Sequence, residues 1–301
     1  MNCVTISSDI MDISIIIPVL NEENRIPKCL DSIFKQNFKG IYEIIIVNNG
    51  CSDNTIEIIK SYENDTIKII NDFGHLGSAR QTGVEAAQAP YIAFIDADEI
   101  ADVNWLSELY NFRNKYDAVL GSLNGIPFKN SKINKYFIDI LELSIKTSPS
   151  IFKGISFGSG NVLINRQKAL EVGFDRSLPT AEDGDFSYRF IKRGFDIYYN
   201  PHARIYHPMP SDLYRYIRYQ DKLAYGLVLL IKKYKNLDLL YVYLASMIYS
   251  ISPIFFVRKI HMGKKVECLD FILGLFSTFV YMLNLVRLFI PQTRKKIIRP
   301  K

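Results

Sequence analysis

Tyr91-Ile92-Ala93-Phe94-Ile95-Asp96-Ala97-Asp98-Glu99 runs five apolar or aromatic residues straight into three carboxylates. The run is too short for an independent helix, and it lacks the alternation of a half-exposed strand. It therefore predicts a strand buried on both faces of a parallel sheet. Such a strand delivers the residues after its carboxyl end to the crevice where open α/β sheets bind ligands. Here it delivers Asp96 and Asp98, with only Ala97 between them. Paired carboxylates on a rigid strand end suit Mg²⁺ or Mn²⁺, hard cations that prefer oxygen and bridge proteins to phosphates. A polar turn that merely ends the strand would use the same residues, so the neighbouring stretches carry the decision.

Upstream, residues 13–17 (Ile-Ser-Ile-Ile-Ile) read as a first buried strand stopped by Pro18, followed by a loop and a helix with Ile26, Leu30, Ile33 and Phe34 on one side. Residues 43–47 give a second strand, ending in Asn48-Asn49-Gly50-Cys51-Ser52-Asp53-Asn54-Thr55. That loop is dense in turn formers, and Ser52 or Asp53 is placed to cap the helix carrying Ile56, Ile58 and Ile59. Residues 67–70 make a third strand. Gly74-His75-Leu76-Gly77-Ser78-Ala79-Arg80 opens a helix to about Gln88, broken by Pro90. Strands alternating with helices imply an α/β fold with a doubly wound parallel sheet.

Downstream the regularity is lost. Residues 118–123 and 161–164 read as strands and 133–146 as a helix. The glycine-rich stretch 154–161 is either a flexible turn or a substrate-facing loop where small residues permit close approach. Thr180-Ala181-Glu182-Asp183-Gly184-Asp185 precedes a helix carrying Phe186, Phe190 and Ile191. Thr180 is a candidate cap for that helix, with Asp183 near the positive end of its dipole. Two further strands are expected at 197–199 and 203–207.

Charge divides the 301-residue chain. Residues 1–203 carry 20 Lys/Arg against 26 Asp/Glu, whereas the remainder carries +12, for a total of +6. Mean hydropathy is +0.03, and the apolar excess is concentrated in tracts 237–257 and 268–290, each long enough to cross a bilayer. The first has only Asp238, and the second has Asp270 and Arg287 near its ends; basic segments 258–265 and 294–296 flank them. A spanning hairpin would put the first basic loop outside, against the positive-inside rule. An interfacial arrangement on anionic lipid satisfies the same composition. An acidic front with a basic, apolar back argues against nucleic acid as a partner. Cys3, Cys29, Cys51 and Cys268 lack the spacing of a zinc site or disulfide framework. Asp9 and Asp12 stand where a signal peptide would be basic and then apolar, so a cytosolic front domain is expected.

Together the motifs resemble the family 2 glycosyltransferases, nucleotide-sugar-dependent enzymes of the GT-A fold. The matching stretches are Ile15-Ile16-Ile17-Pro18-Val19-Leu20-Asn21-Glu22, residues 47–55, Gly77-Ser78-Ala79-Arg80-Gln81-Thr82-Gly83, the Asp96-Ala97-Asp98 strand end, Glu182-Asp183-Gly184-Asp185 and Tyr206-His207. The resemblance covers roughly residues 12–210, after an N-terminal tail (1–11). A basic amphipathic linker helix (211–236) and membrane-associated helices with a basic tail (237–301) would complete the chain. The resemblance implies that Pro18, Asn21, Glu22, Asn49, Arg80 and Asp96 bind the nucleotide sugar, with Asn49 at a position that is often Asp. It also implies Asp98, Asp96 and His207 as ligands of Mn²⁺ or Mg²⁺, Asp183 as the general base of an inverting reaction, and Glu182 and Asp185 as orienting the acceptor.

The expected activity is transfer of a sugar from a nucleotide-diphosphate donor to a lipid-linked or polysaccharide glycan at the cytosolic membrane face. A polyprenyl-phosphate glycosyltransferase is the enzyme alternative, since an ionised phosphate acceptor needs no base. A non-catalytic, membrane-anchored subunit of a glycan-assembly complex is the alternative from another class.

Overall fold

The computed structural model describes residues 11–62, 64–127, 157–209, 212–235 and 268–286. The chain divides into two compact units, Met1–Met209 and Pro210–Lys301.

The first unit is an eight-stranded mixed sheet in the order β3-β2-β1-β4-β7-β6-β8-β5. Its strands are β1 (Ile13–Val19), β2 (Tyr42–Asn48), β3 (Ile67–Asn71), β4 (Tyr91–Ile95), β5 (Ile100–Ala101), β6 (Ala118–Pro127), β7 (Asn161–Asn165) and β8 (Ile197–Met209). The helices are α1 (Ile26–Phe34), α2 (Thr55–Lys60), α3 (Leu76–Ala86), α4 (Trp105–Tyr110), α5 (Arg166–Val172) and α6 (Glu182–Lys192). Strands β3, β2, β1 and β4 are parallel, as their unbroken apolar runs predict. Both faces are covered. Ile13, Ile15, Ile17, Ile44, Ile46, Ala93 and Ile95 share one core with α1 and α4. The alternate residues Ile16, Ile45, Val47, Ile92 and Phe94 share the other with α3, α5 and α6.

Pro18 does not stop β1, which continues through Val19. Ile13 N and Val19 O both bond toward β2, so by alternation the Pro18 nitrogen faces the β4 side. The β1–β4 ladder has already ended at Ile16, so the missing N–H breaks no ladder bond. Beyond β4 the sheet changes character: β7 runs antiparallel to both β4 and β6, and β8 runs parallel to β6. The two strands expected at 197–199 and 203–207 are one. The β6–β8 register jumps from Gly121↔Asn200 to Ser122↔Arg204, so β8 loops out Pro201-His202-Ala203 and resumes. The elements β5, α4 and α5 escaped the sequence reading. The expected helix at 133–146 lies outside the described residues.

In the second unit, α7 (Leu213–Tyr234) takes the place of the expected linker helix, and α8 (Cys268–Val286) lies within the second apolar tract. The two helices pack together: Tyr216 Oη donates to the Leu273 carbonyl at 3.0 Å and bonds Ser277, and Asn284 Nδ2 donates to Asp221 at 2.9 Å. Among the described residues no helix is long and apolar enough to cross a membrane. The expectation of C-terminal apolar, membrane-associated helices is therefore not supported. Its first tract, 237–257, lies outside the described residues.

Candidate active site

Strand β4 ends at Ile95, and the carboxylates after it fold into a tight turn. Glu99 closes the turn: its Oε2 accepts the Asp96 N–H at 2.9 Å, and its own N–H donates to the Asp96 carbonyl at 3.0 Å. Glu99 is buried, and desolvation beside the Asp96 and Asp98 charges pushes its carboxyl well above the usual carboxylate range.

The two aspartates then diverge. Asp96 accepts from Arg80 Nη2 at 2.7 Å, while Arg80 Nη1 pairs with Glu182 at the start of α6. Arg80 is only 3% exposed. A buried cation of this kind needs two well-made partners to offset its lost hydration. Gly77, one turn earlier in α3, permits the approach, since a β-carbon there would lie 2.9 Å from Glu182 Cβ and 2.8 Å from the Asp175 carbonyl. Arg80, expected to bind the nucleotide sugar, here forms an internal strut. Asp96, expected among the metal ligands, and Glu182, expected at the acceptor, form its two ends.

Asp98 faces the opposite way. Its Oδ2 lies 3.3 Å from Arg25 Nη1 and 3.5 Å from His207 Nε2 on β8. Arg25 is held by Glu22 through two bonds, Nε–Oε2 at 2.5 Å and Nη2–Oε1 at 2.8 Å. His207 Nδ1 is buried without a hydrogen-bond partner among the described residues. Among the described residues no group of three or more His, Cys, Asp or Glu side chains is arranged to hold a metal by itself. Asp98 and His207 nevertheless fit a shared Mn²⁺ or Mg²⁺. Ligand bonds of about 2.1 Å at right angles put two donor atoms about 3 Å apart, and such ions commonly draw further oxygens from substrate phosphates.

Asp183 sits in the first turn of α6, and its Oδ1 accepts the Gly184 N–H at 2.7 Å. The expected cap by Thr180 is absent. The helix instead starts from Ala181 in the left-handed region (φ 60°), with no side-chain cap. Desolvation first, then the neighbouring Glu182 charge, push the Asp183 carboxyl up to about 6 against the pull of Arg80. The described part of the glycine-rich loop runs beside these groups. A β-carbon on Gly158 would lie 3.8 Å from Asp183 Oδ2, and one on Gly160 3.2 Å from Asp96 Oδ2. Ser159 between them is 1% exposed, and its hydroxyl has no partner among the described residues. Asp185, expected to orient an acceptor, is fully buried and paired with Arg189 at 2.6 Å. Arg189 in turn donates to the Val172 and Gly173 carbonyls, so this pair anchors α6 to the end of α5.

On the other side of the sheet's parallel half, Asn49 Nδ2 donates to the carbonyls of Asp72 (2.7 Å) and Gly74 (3.0 Å). Asn21, left-handed at φ 57°, accepts the Ser52 N–H at 2.8 Å, and the Glu22 N–H donates to Thr55 Oγ1 at 2.8 Å. The Asn49 bonds tie the loop after β2 to the loop after β3, and the Asn21 and Glu22 bonds tie the loops after β1 and β2 together. Pro18 is buried within β1. Sequence reasoning missed Arg25 and Glu99. An i,i+3 pairing with Glu22 was the available signal for Arg25, and membership of the acidic run was the signal for Glu99.

The model of glycosyl transferase family 2 matches residues 14–174. A dolichyl N-acetyl-alpha-D-glucosaminyl phosphate 3-beta-D-2,3-diacetamido-2,3-dideoxy-beta-D-glucuronosyltransferase of Methanococcus voltae is 28% identical over 233 residues, 71% of each chain. A poly(ribitol-phosphate) beta-glucosyltransferase of Bacillus spizizenii is 38% identical over 125 residues, 38% of this chain and 20% of that relative. Glycosyltransferase GlyA of Streptococcus pneumoniae is 34% identical over 128 residues, 42% of this chain and 18% of the relative, so the chain matches about a fifth of these two proteins. In fold, the chain is similar to S. aureus TarS 1-349 solved in complex with UDP-GlcNAc, with TM-score 0.53, 18% identity and coverage of 72% of this chain and 67% of that one.

Proposed function

The chain belongs to glycosyl transferase family 2, and from that premise we propose that it moves a sugar, with inversion, from a nucleotide-diphosphate donor to a hydroxyl of a lipid-linked or polysaccharide glycan. One observation carries this reading: the buried Asp96–Arg80–Glu182 bridge, which fixes the start of α6, and so Asp183, against the strand end bearing Asp98.

Asp183 takes the proton from the acceptor hydroxyl as that oxygen attacks the anomeric carbon. A carboxylate pushed up to about 6 is still ionised at neutral pH and is a stronger base than an ordinary aspartate. Arg80 keeps Glu182 paired, so a second carboxylate can stand beside Asp183. Gly158 and Gly160 let the loop backbone lie close against these carboxylates and so shape one wall of the site. The loops joined through Asn21, Glu22 and Asn49 would receive the nucleotide. Asp98 and His207 would hold Mn²⁺ or Mg²⁺, which when bound neutralises charge on the departing diphosphate. The names of the relatives, which specify a poly(ribitol-phosphate) and a dolichyl-phosphate-linked sugar, support a polymeric or lipid-linked acceptor.

The site is proposed to work at a membrane face on the cytosolic side. Two observations support lipid contact: the net +12 of residues 204–301, and exposed apolar side chains on α8, including Ile272, Leu275, Phe276, Phe279, Met282 and Leu283. The test of the activity is release of nucleoside diphosphate from a panel of nucleotide sugars with Mn²⁺ present. Failure of every donor to bind or turn over would overturn the reading.

A further inference from the structure

We propose that Arg25 is the resident counter-ion of Asp98. In this role it competes with the divalent cation for that carboxylate, so that cation and donor diphosphate load together rather than cation alone. The inference rests on the glycosyltransferase reading and concerns a residue which that reading does not use.

The geometry is specific. The Asp98 oxygen that faces His207, Oδ2, is the same oxygen that Arg25 Nη1 approaches. A cation seated between Asp98 and His207 would share that oxygen with a guanidinium. A doubly charged ion and a guanidinium repel each other strongly at such range unless further negative charge arrives. A diphosphate brings that charge. The planar guanidinium is gripped by Glu22 through Nε and Nη2, so Nη1 parts from Asp98 when the Arg25–Glu22 pair shifts as one unit. The Arg25 side chain is 38% exposed and therefore has room to turn.

The test titrates Mn²⁺ into the full-length protein, reading free aquo-Mn²⁺ by electron paramagnetic resonance, alone and with UDP or GDP. Wild type is expected to bind Mn²⁺ weakly alone and more tightly with the matching nucleotide. Arg25→Gln should tighten nucleotide-free Mn²⁺ binding roughly tenfold. The mutual enhancement of cation and nucleotide should shrink by a similar factor, since coupling is reciprocal. Asp98→Asn should abolish the gain. Unchanged or weaker Mn²⁺ binding by a folded Arg25→Gln protein overturns the proposal. So does a variant that only weakens nucleotide binding, which would make Arg25 a phosphate ligand. Should Arg25→Gln fail to fold, Arg25→Lys decides. Its single ammonium cannot reproduce the fork that holds Glu22 and Asp98 together, so part of the gain must appear. Absence of Mn²⁺ binding in wild type with either nucleotide overturns the metal assignment as well, a result distinct from a normal wild type with an inert variant.

Discussion

Asp183→Asn separates catalysis from stability, because desolvation acts on this carboxyl in opposite senses for the two. Its pKa rises from the ordinary 3.8 to about 6. Folding therefore favours the protonated form. The stabilisation linked to this group is fully present below pH 3.8 and is lost as pH rises through about 6. The difference corresponds to about 3 kcal/mol as an upper bound. Asparagine keeps the shape and an oxygen for the Gly184 N–H, but it never ionises. At pH 7.5 the variant should thus melt no lower than wild type, and higher by several degrees if the full effect is realised. At pH 4 the difference should vanish. Turnover onto a hydroxyl acceptor should move the other way, falling about a hundredfold to ten-thousandfold. In wild type, kcat should decline as pH falls through about 6, and the variant's residual rate should lack that acid limb. Calorimetry at the two pH values and a pH–rate profile provide the measurements. A variant that unfolds at pH 7.5 refutes the linkage argument. One that folds and turns over normally refutes the base assignment, and a mild loss favours a phosphate acceptor.

Arg80→Met leaves Glu182 and Asp96 as uncompensated carboxylates, and the first unit should lose about 3–5 kcal/mol by denaturant titration. Gly160→Ala places a β-carbon 3.0 Å from Glu99 Oε1, so stability should drop by about 1–3 kcal/mol and donor affinity should fall in calorimetric binding. Activity should disappear in EDTA and return with Mn²⁺ or Mg²⁺; undiminished turnover in chelator would remove the metal from the mechanism. The full-length chain should sediment with anionic vesicles and be released as salt rises, whereas deletion of residues 237–301 should leave it in the supernatant.

The parallel half of the sheet was legible because both of its faces are buried: β1, β2 and β4 are unbroken apolar runs, and their loops carry the turn chemistry. The antiparallel half was harder. Asn200-Pro201-His202 reads as a turn between strands, and only pairing with Gly121 and Ser122, some eighty residues earlier, makes it an excursion within β8. The carboxylates of the candidate site stood out in the sequence, but their pairings did not. Asp96, Asp98 and Asp183 were identified from the chain. Local sequence, however, cannot tell that Arg80 turns inward to a carboxylate 102 residues away, or that Asp185 spends its charge on Arg189. Side-chain direction is decided by packing. For Arg80 that packing includes Gly77, whose missing β-carbon is what lets Glu182 approach.

The position of β4 between β1 and β7 has a consequence for biosynthesis. When β1 to β4 have left the ribosome, β4 is a terminal strand with one row of backbone groups unpaired. The partner that covers it, Asn161–Asn165, is translated roughly 66 residues later. At typical elongation rates that interval is about 3–13 s, during which Tyr91–Ile95 is a bare, uncharged edge of the kind that recruits other chains. The carboxylates of Asp96, Asp98 and Glu99 come directly after this edge. In the nascent chain they would act as charged gatekeepers before they serve any ligand. A fragment ending before Asn161 should accordingly aggregate where residues 1–209 remain dispersed, and neutralising the three acids should worsen it.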